Sequence, residues 1–236
     1  MSSLAAIPPG FQPGISSPLY LTRRLLLDGF RRHADAIRGR VLDFGCGAKP
    51  YRAVFTCSEY IGVDYEGQGH SHKEEQIDFF YDGNSLPFDD AGFDAVFSSE
   101  VFEHVFNLPH MLLEINRVLK PGGKLLISCP FAICEHEQPN DFARYTSFAI
   151  RHLLEQARFK VLVQEKLGDA QTALWQMRIT YWNLHVVEKL RHIPMVRTVA
   201  RVGFNAVMNV LAKGSIALLP SRQDLYLNNL VLAEKQ

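Results

Sequence analysis

The sequence predicts an α/β fold in which a mostly parallel sheet carries helices on both faces. Short apolar runs of strand length alternate with stretches of helical spacing, which is the order that crossover helices between parallel strands produce. One run ends in a tight turn with two glycines, Gly45 and Gly47, where a strand leads directly into a ligand-binding turn. The 236 residues, of which 47% are hydrophobic, suffice for one such domain with additions.

The first predicted element is a helix over Leu19–Ile37, because its apolar side chains recur on one side and most of its arginines on the other. Two later helices are predicted over Pro109–Leu119, which Pro121-Gly122-Gly123 stops, and over Ser147–Ala157, which Thr146 caps. Six strands are predicted, at Arg40–Phe44, Glu59–Val63, Glu75–Phe80, Ala95–Ser98, Lys124–Ser128 and Lys160–Glu165.

The chain is expected to have three parts. Residues 1–17 form an irregular arm rich in proline and glycine, and residues 18–170 and 223–236 form the α/β domain. Residues 171–222 form a helical insertion, with two helices separated near Pro194. The second inserted helix has an apolar face with helical rhythm, made of Val196, Val199, Ala200, Gly203, Val207, Val210 and Leu211.

The composition narrows the class of function and the compartment. The formal net charge of zero disfavours a general nucleic-acid binder. The four cysteines show neither C-x-x-C spacing nor a disulfide-rich pattern, so we expect reduced thiols and a cytoplasmic protein. We expect no signal peptide, since the N-terminus lacks a charged start before an apolar run, and no apolar stretch reaches the ~18–20 residues of a spanning helix.

The residues around the glycine turn indicate what kind of ligand it holds. Asp43 stands just before Gly45, and Pro50 occupies the place of the third glycine in G-x-G-x-x-G. A carboxylate at Asp43 repels a pyrophosphate, so a dinucleotide fits poorly. A cationic cofactor without phosphate fits better, and S-adenosylmethionine has both an ammonium and a sulfonium group.

Two further carboxylates follow later strands, at the edge of the sheet where ligands bind. Asp64, with Tyr65 after it, ends the second strand, where a carboxylate can accept both hydroxyls of a ribose. Asp82, with Gly83, follows the third strand and can accept from an adenine amino group. Either one alone is equally consistent with a loop or capping aspartate, but their order after successive strands favours a cofactor site.

Together these stretches resemble the class I S-adenosylmethionine-dependent methyltransferases of the small-molecule type. The similar stretches are Leu42–Gly47, Gly62–Asp64, Asp82–Phe88, Phe93–Val96 and Arg117–Gly123. The resemblance implies a Rossmann-like, seven-stranded sheet with an antiparallel last strand, here Leu225–Glu234. The residues then expected to bind the cofactor are Asp43, Gly45, Cys46, Gly47, Asp64, Tyr65, Asp82, Gly83, Ser99 and Glu100.

Acid–base groups follow the fourth and fifth strands. Methyl transfer requires an aligned nucleophile and, for a hydroxyl acceptor, a base. If a helix begins near Ser99, then Glu100, Glu103 and His104 lie on one of its faces. His136 lies in a polar loop after the fifth strand. We predict catalytic roles for Glu103, His104 and His136.

The Glu-x-x-Glu-His pattern is also similar to metal-dependent methyltransferases of this class, such as those acting on ubiquinone precursors and on small-RNA 2′-hydroxyls. The resemblance implies a divalent metal (magnesium) held by Glu100, Glu103, His104 and His136. In the alternative without a metal, the Glu103-His104 pair packs or caps a helix and Glu100 contacts the cofactor. Arg144 in the later loop either binds an anionic group of the substrate or pairs with Asp141.

The insertion, residues 171–222, has a formal charge of +6 on a neutral chain. Three interpretations remain open: a cap over the active site or a homodimer surface, a peripheral membrane or lipid-linked-substrate surface, and nucleic-acid contact. The loop from His136 to Thr146 resembles methyltransferases of bacterial polysaccharide gene clusters, which favours a sugar or lipid-linked acceptor.

The leading hypothesis is a methyltransferase that acts on a small or lipid-linked acceptor, with oxygen as the acceptor atom ahead of nitrogen or carbon. A second hypothesis is a regulatory or partner protein that binds S-adenosylmethionine without turnover. The polar loop around His136 argues against it, since binding alone does not require such groups. A third is an NAD-dependent oxidoreductase, which shares the fold but conflicts with Asp43 and Pro50.

Overall fold

The chain folds around a seven-stranded mixed sheet. The structure is a computed structural model that describes residues 6–67 and 76–236. Its strands are β1 (Arg40–Phe44), β2 (Glu59–Tyr65), β3 (Phe79–Tyr81), β4 (Phe93–Ser99), β5 (Leu119–Pro130), β6 (Phe159–Leu167) and β7 (Asn228–Lys235). Their order is β3-β2-β1-β4-β5-β7-β6, and β7 runs antiparallel to both of its neighbours, while the other pairs are parallel. The predicted fold class is confirmed, including the antiparallel last strand.

Five α-helices of the described residues surround the sheet. They are α1 (Tyr20–His33), α2 (Leu108–Val118), α3 (Ser147–Gln156), α4 (Ala170–Tyr181) and α5 (Pro194–Leu218). The predicted cap at Thr146 is confirmed, because its side chain accepts a hydrogen bond from the amide of Ala149 at 3.1 Å. The first predicted helix is shorter than expected, since a 3₁₀ turn at Ala34–Ala36 follows α1.

The predicted stop at Pro121-Gly122-Gly123 is wrong in its detail. Helix α2 ends at Val118, and β5 begins at once with Leu119, so the tripeptide lies inside the strand. Gly122 has a φ of +75°, and the pairing between β4 and β5 is irregular there, so the tripeptide forms a distortion in β5. Residues 1–5 of the predicted arm and Glu75 at the start of the predicted third strand lie outside the described residues.

The sheet is buried on both faces, as the apolar strands require. Along β1, Leu42 and Phe44 belong to the core under α2 and α3, while Val41 belongs to the core under α1. This alternation follows from the opposite directions of successive side chains in a strand. Because crossover helices cover both faces, the carboxyl ends of the parallel strands are left to form a binding edge.

The helices α4 and α5 pack against α1 and against each other. Their shared core contains Leu21 of α1, Ala173 and Ile179 of α4, and Ala212 of α5. Helix α5 turns polar residues inward, so that Asn205 and Asn209 are fully buried, and leaves most of its valines exposed. None of the helices in the described ranges has the length and apolar character that crossing a membrane requires.

Candidate active site

The turn after β1 is the floor of the site. Gly45 and Gly47 have φ values of +72° and +45°, which favour glycine. A Cβ atom on Gly45 would approach the side chain of Val101 to 2.3 Å, so this position also lacks space for one. The amide of Gly45 donates to the carbonyl of Val63 in β2 at 2.9 Å, which ties the turn to the next strand.

Asp64 holds the same turn from the end of β2. Its Oδ2 accepts from the amide of Gly47 at 2.8 Å, and its Oδ1 accepts from the amide of Tyr65 at 2.8 Å. Its side chain is buried at the edge of a cavity that these residues line. This carboxylate therefore joins the glycine turn to the end of β2, and the sequence predicts that both contact the same ligand.

Asp82 shapes the loop after β3. Its Oδ1 accepts from the amides of Asn84 and Ser85, and these backbone donors hold the pKa of its carboxyl below the usual value. Asn107, which directly precedes α2, donates to the carbonyl of Gly83 at 3.2 Å and so links this loop to α2.

The sequence predicts a fully charged carboxylate at Asp43, but the surroundings of Asp43 in the structure reduce that charge. It is buried, and it accepts a hydrogen bond from the hydroxyl of Tyr60 at 2.7 Å. Burial raises the pKa of its carboxyl to about 7, and the bond from Tyr60 offsets only part of that effect. A carboxyl with this pKa carries only a partial charge near neutral pH.

Two cavities meet above the glycine turn. The first, of about 600 Å³, contains Asp64, Tyr65, Asp82, Gly83 and His104 in its wall. The second, of about 550 Å³, extends from the turn towards α1 and α4 and has a more apolar wall. The walls of both share Gly45, Gly47, Ser99, Glu100 and Glu137. Of the ten predicted cofactor residues, all but Asp43 and Cys46 line the first cavity, and these two line the second.

The segment after β4 corrects one prediction. No helix begins near Ser99: Glu100 has a φ of +57°, and a single 3₁₀ turn spans Phe102–His104. Glu100 consequently does not share a helix face with Glu103. Its carboxylate accepts from Ser128 at 2.7 Å and from Asn228 at 2.6 Å, so it turns towards β5 and β7.

Glu103, His104 and His136 form a compact group between the two cavities. One possible ligand atom from each of them lies within 4.8 Å of the other two. Oε1 of Glu103 is 3.7 Å from Nε2 of His104 and 3.9 Å from Nε2 of His136. His104 lines the first cavity and His136 lines the second, so the group bridges them. Glu100 is not part of this group, unlike in the predicted four-ligand set.

The carboxyl of Glu103 is fully buried, and neither oxygen has a hydrogen-bond partner among the described residues. Burial raises the pKa of this carboxyl well above its usual value, and the neighbouring Glu100 raises it further. Such an unpaired group is costly, and native proteins keep few of them. His104 is oriented by a contact of 2.8 Å between its Nδ1 and the carbonyl of Asn140.

The polar loop after β5 is held by an internal ion pair. Arg144 donates to both oxygens of Asp141 at 2.5 and 2.6 Å. Of the two roles predicted for Arg144, pairing with Asp141 is therefore the one observed. Asp141 also accepts from the amide of His136 at 2.9 Å. Arg144 therefore positions the loop that carries His136.

Sequence reasoning missed two residues of the site. Asn228 holds Glu100 from β7, and the polar Asn228-Asn229 pair directly before the apolar run Leu230–Ala233 is a signal that could have shown it. Arg23 projects from α1 into the second cavity and is the only arginine or lysine among the described residues that line either cavity. No pattern in the sequence separates Arg23 from the other arginines of α1.

The strand order, the glycine turn and the acids after β2 and β3 agree with the resemblance to class I S-adenosylmethionine-dependent methyltransferases. In agreement, residues 42–127 match the family model described as a methyltransferase domain. The match includes all five stretches on which the resemblance rested, from Leu42 to Gly123.

Individual relatives agree with this family. A probable S-adenosylmethionine-dependent methyltransferase of Mycolicibacterium smegmatis is 34% identical over 127 residues, which are 50% of this chain and 48% of that protein. An O-methyltransferase of Penicillium expansum is 30% identical over 146 residues, 52% of each chain. The chain thus spans about half the length of these curated relatives.

A solved structure described as a [4+2]-cyclase, SpnF, has the same fold, with a TM-score of 0.58 and 19% identity over 95% of this chain and 85% of that one. The fold alone therefore does not fix the reaction, which depends on the site.

Proposed function

We propose that this chain is an enzyme that transfers the methyl group of S-adenosylmethionine to an oxygen of an acceptor. The observation that carries the proposal is the meeting of two cavities. The first is lined by eight of the ten residues expected for the cofactor, and the second is wide enough to take the methionine end of the cofactor with part of an acceptor beside it. The Glu103, His104 and His136 group stands at their junction, where a proton acceptor is required. The likeness to an O-methyltransferase supports the choice of oxygen.

In this proposal the adenosine part of the cofactor occupies the first cavity. The ribose hydroxyls donate to Asp64 and the adenine amino group donates to Asp82, whose Oδ1 already accepts backbone bonds. The methionine part extends over the glycine turn towards Asp43, which receives the ammonium group. Arg23 receives the methionine carboxylate, since no other arginine or lysine of the described residues lines either cavity.

The reaction requires little covalent help from the protein. A lone pair of the acceptor oxygen forms the new O–C bond while the C–S bond breaks, and its electron pair returns to the sulfur as a neutral thioether. The proton of the acceptor hydroxyl passes to the imidazole of His136 or His104. Oε1 of buried Glu103 lies beside both rings, 3.7 Å from Nε2 of His104 and 3.9 Å from Nε2 of His136.

The second cavity favours a largely apolar acceptor with few polar groups. Its wall includes Phe11, Leu26, Tyr51, Ile133 and Met177. Such a wall suits a small aromatic or acyl compound, or the first part of a lipid-linked sugar. We therefore propose a small or lipid-linked acceptor and consider nucleic acid a poor fit.

The same group of side chains also suits a divalent cation, and the unpartnered carboxylate of Glu103 is the observation that favours one. One carboxylate and two imidazoles are ligands typical of manganese, iron or zinc, whereas magnesium prefers oxygen ligands. When bound, the ion would lower the pKa of an acceptor hydroxyl. Glu103, His104 and His136 would hold it, and the contact from Asn140 would keep Nε2 of His104 facing it.

The test is methyl transfer from labelled S-adenosylmethionine to a panel of phenols, fatty acids and polyprenyl-linked sugars. We expect labelled product with one of these classes, and a drop in kcat of about 10²–10⁴-fold in His136→Ala. The matched control is His152→Ala, an exposed histidine of α3, which should keep full activity. Cofactor binding without product from any acceptor would instead support a binding protein without turnover.

The metal is tested separately by thermal unfolding of chelator-treated protein with added Mn²⁺, Zn²⁺ or Mg²⁺. If the group binds a cation, Mn²⁺ or Zn²⁺ raises the Tm of the wild type but not of His136→Ala, and activity falls in excess chelator. Full activity in chelator would remove the metal and leave the group as a base.

A further inference from the structure

Helix α5 exposes an almost wholly apolar face to solvent. Six large side chains that recur at helical spacing along this face are between 44% and 84% exposed: Met195, Val199, Val202, Val207, Val210 and Leu218. Lys213 is the only charged residue on this side of the helix. Exposed patches of this kind mark interaction surfaces, because folded chains seldom leave so much contiguous apolar surface in water.

The orientation of the helix is fixed by polar contacts on its other side. Asn205 and Asn183 donate to each other's side-chain oxygens, the shorter bond being 2.8 Å. Asn209 donates to the carbonyls of Ile15 and Ser17 at 2.7 and 3.0 Å. Rotating α5 to bury its valines would expose these amides and break their bonds, so the apolar face stays outward.

The segment that carries the apolar face is positively charged. Seven arginines and lysines stand in residues 171–222 against one acid, Glu188, which pairs with Arg197 at 2.8 Å. Two copies of the chain meeting through this face would bring like charges together, which disfavours a homodimer. A nucleic acid would pair with the arginines and lysines but would leave the exposed valines without an apolar partner. An anionic lipid surface complements both features.

We propose that α5 lies flat on an anionic membrane, with its valine face at the boundary between headgroups and acyl chains. Lys213, which shares this side of the helix, is then placed to reach lipid phosphates. Since α4 packs against α5 and lines the second cavity through Gln176, Met177 and Thr180, docking brings the acceptor cavity to the membrane. The proposal goes beyond methyl transfer and does not depend on turnover.

The experiment is flotation of the purified chain with vesicles of phosphatidylcholine containing about 30% phosphatidylglycerol, compared with phosphatidylcholine alone. We expect flotation with the anionic vesicles only, weakened by salt. The double variant Val199→Gln/Val210→Gln should bind at least about tenfold more weakly, because it removes apolar area without changing charge. The matched control is Phe148→Gln on α3, where an 81% exposed phenylalanine lies outside the face.

Circular dichroism and thermal unfolding establish that both variants fold. No flotation of the folded wild type, or equal flotation of the valine double variant, overturns the proposal. Sedimentation of the wild type as a dimer that the same two substitutions convert to a monomer also overturns it, in favour of an interface between copies. A flotation result of either sign leaves cofactor binding unaffected, so the two proposals fail separately.

Discussion

The amide of Gly47 donates a hydrogen bond to Oδ2 of Asp64 at 2.8 Å, which joins the turn after β1 to the end of β2. The carboxylate that is expected to hold the ribose therefore also holds the backbone over which the methionine part passes. Donor binding and the shape of the turn depend on one side chain.

Substitution of Asp64 should weaken the cofactor site. In Asp64→Ala the amides of Gly47 and Tyr65 lose their acceptor, and the ribose loses its partner. We expect the affinity for S-adenosylmethionine to fall about tenfold to hundredfold, as for loss of charged hydrogen bonds. Isothermal titration calorimetry measures it, with Asp35→Ala, a 96% exposed aspartate after α1, as the control. Unchanged affinity in folded Asp64→Ala would contradict this assignment.

Arg23 should recognise the methionine carboxylate and nothing else of the cofactor. We expect Arg23→Gln to bind S-adenosylmethionine about tenfold more weakly, because a charged hydrogen bond is lost. The control is a ligand: 5′-methylthioadenosine, which lacks the amino and carboxyl groups, should bind the variant and the wild type equally. A parallel loss for both ligands would mean that the substitution merely disturbs the cavity wall.

Asp43 should make the fold less stable as the pH rises from about 4 to about 7. Burial raises the pKa of its carboxyl to about 7, so the folded state retains a proton that the unfolded chain has already lost above pH 4. The free energy of unfolding therefore falls between about pH 4 and pH 7 by up to about 4 kcal/mol. Asp43→Asn keeps an acceptor for Tyr60 and removes this loss.

We accordingly expect the stability gain of Asp43→Asn, measured by urea unfolding, to grow from pH 5 to pH 8, while the variant binds S-adenosylmethionine more weakly. A difference from the wild type that does not vary with pH would show that Asp43 titrates normally.

We expect Glu103 to be needed for methyl transfer and to lower the thermal stability of the fold. In chelator-treated protein we expect Glu103→Met to unfold at a Tm a few degrees above that of the wild type, because a buried carboxyl without hydrogen-bond partners costs about 1–3 kcal/mol. The variant should also lose methyl transfer. Glu155→Met, at an exposed position of α3, serves as the control. Destabilisation by Glu103→Met would indicate that the carboxyl has a stabilising partner.

Much of the framework follows from local patterns. The bounds of β1 were predicted without error at Arg40–Phe44, because a strand buried on both faces and ended by glycines has an unambiguous pattern. The prediction that Glu100 shares a helix face with Glu103 failed, since a left-handed backbone at a glutamate depends on contacts with Ser128 and Asn228, which are distant in sequence. Local rules had favoured a helix there.

The insertion shows a second limit of sequence patterns. Periodicity placed Val199 and Val210 on one face of a helix, and they do share one, but it cannot tell which face meets the protein. That choice depends on the amides of Asn205 and Asn209 finding partners in other segments. The division into arm, domain and insertion stays a prediction.

The central claim, that the turn at Gly45 and Gly47 holds a cationic methyl donor, is tested most directly by calorimetric titration of the purified chain. We expect one binding site for S-adenosylmethionine per chain and no binding of NADH, because Asp43 and Pro50 disfavour a pyrophosphate. Binding of NADH, or a well-folded chain that takes up no S-adenosylmethionine, would contradict it.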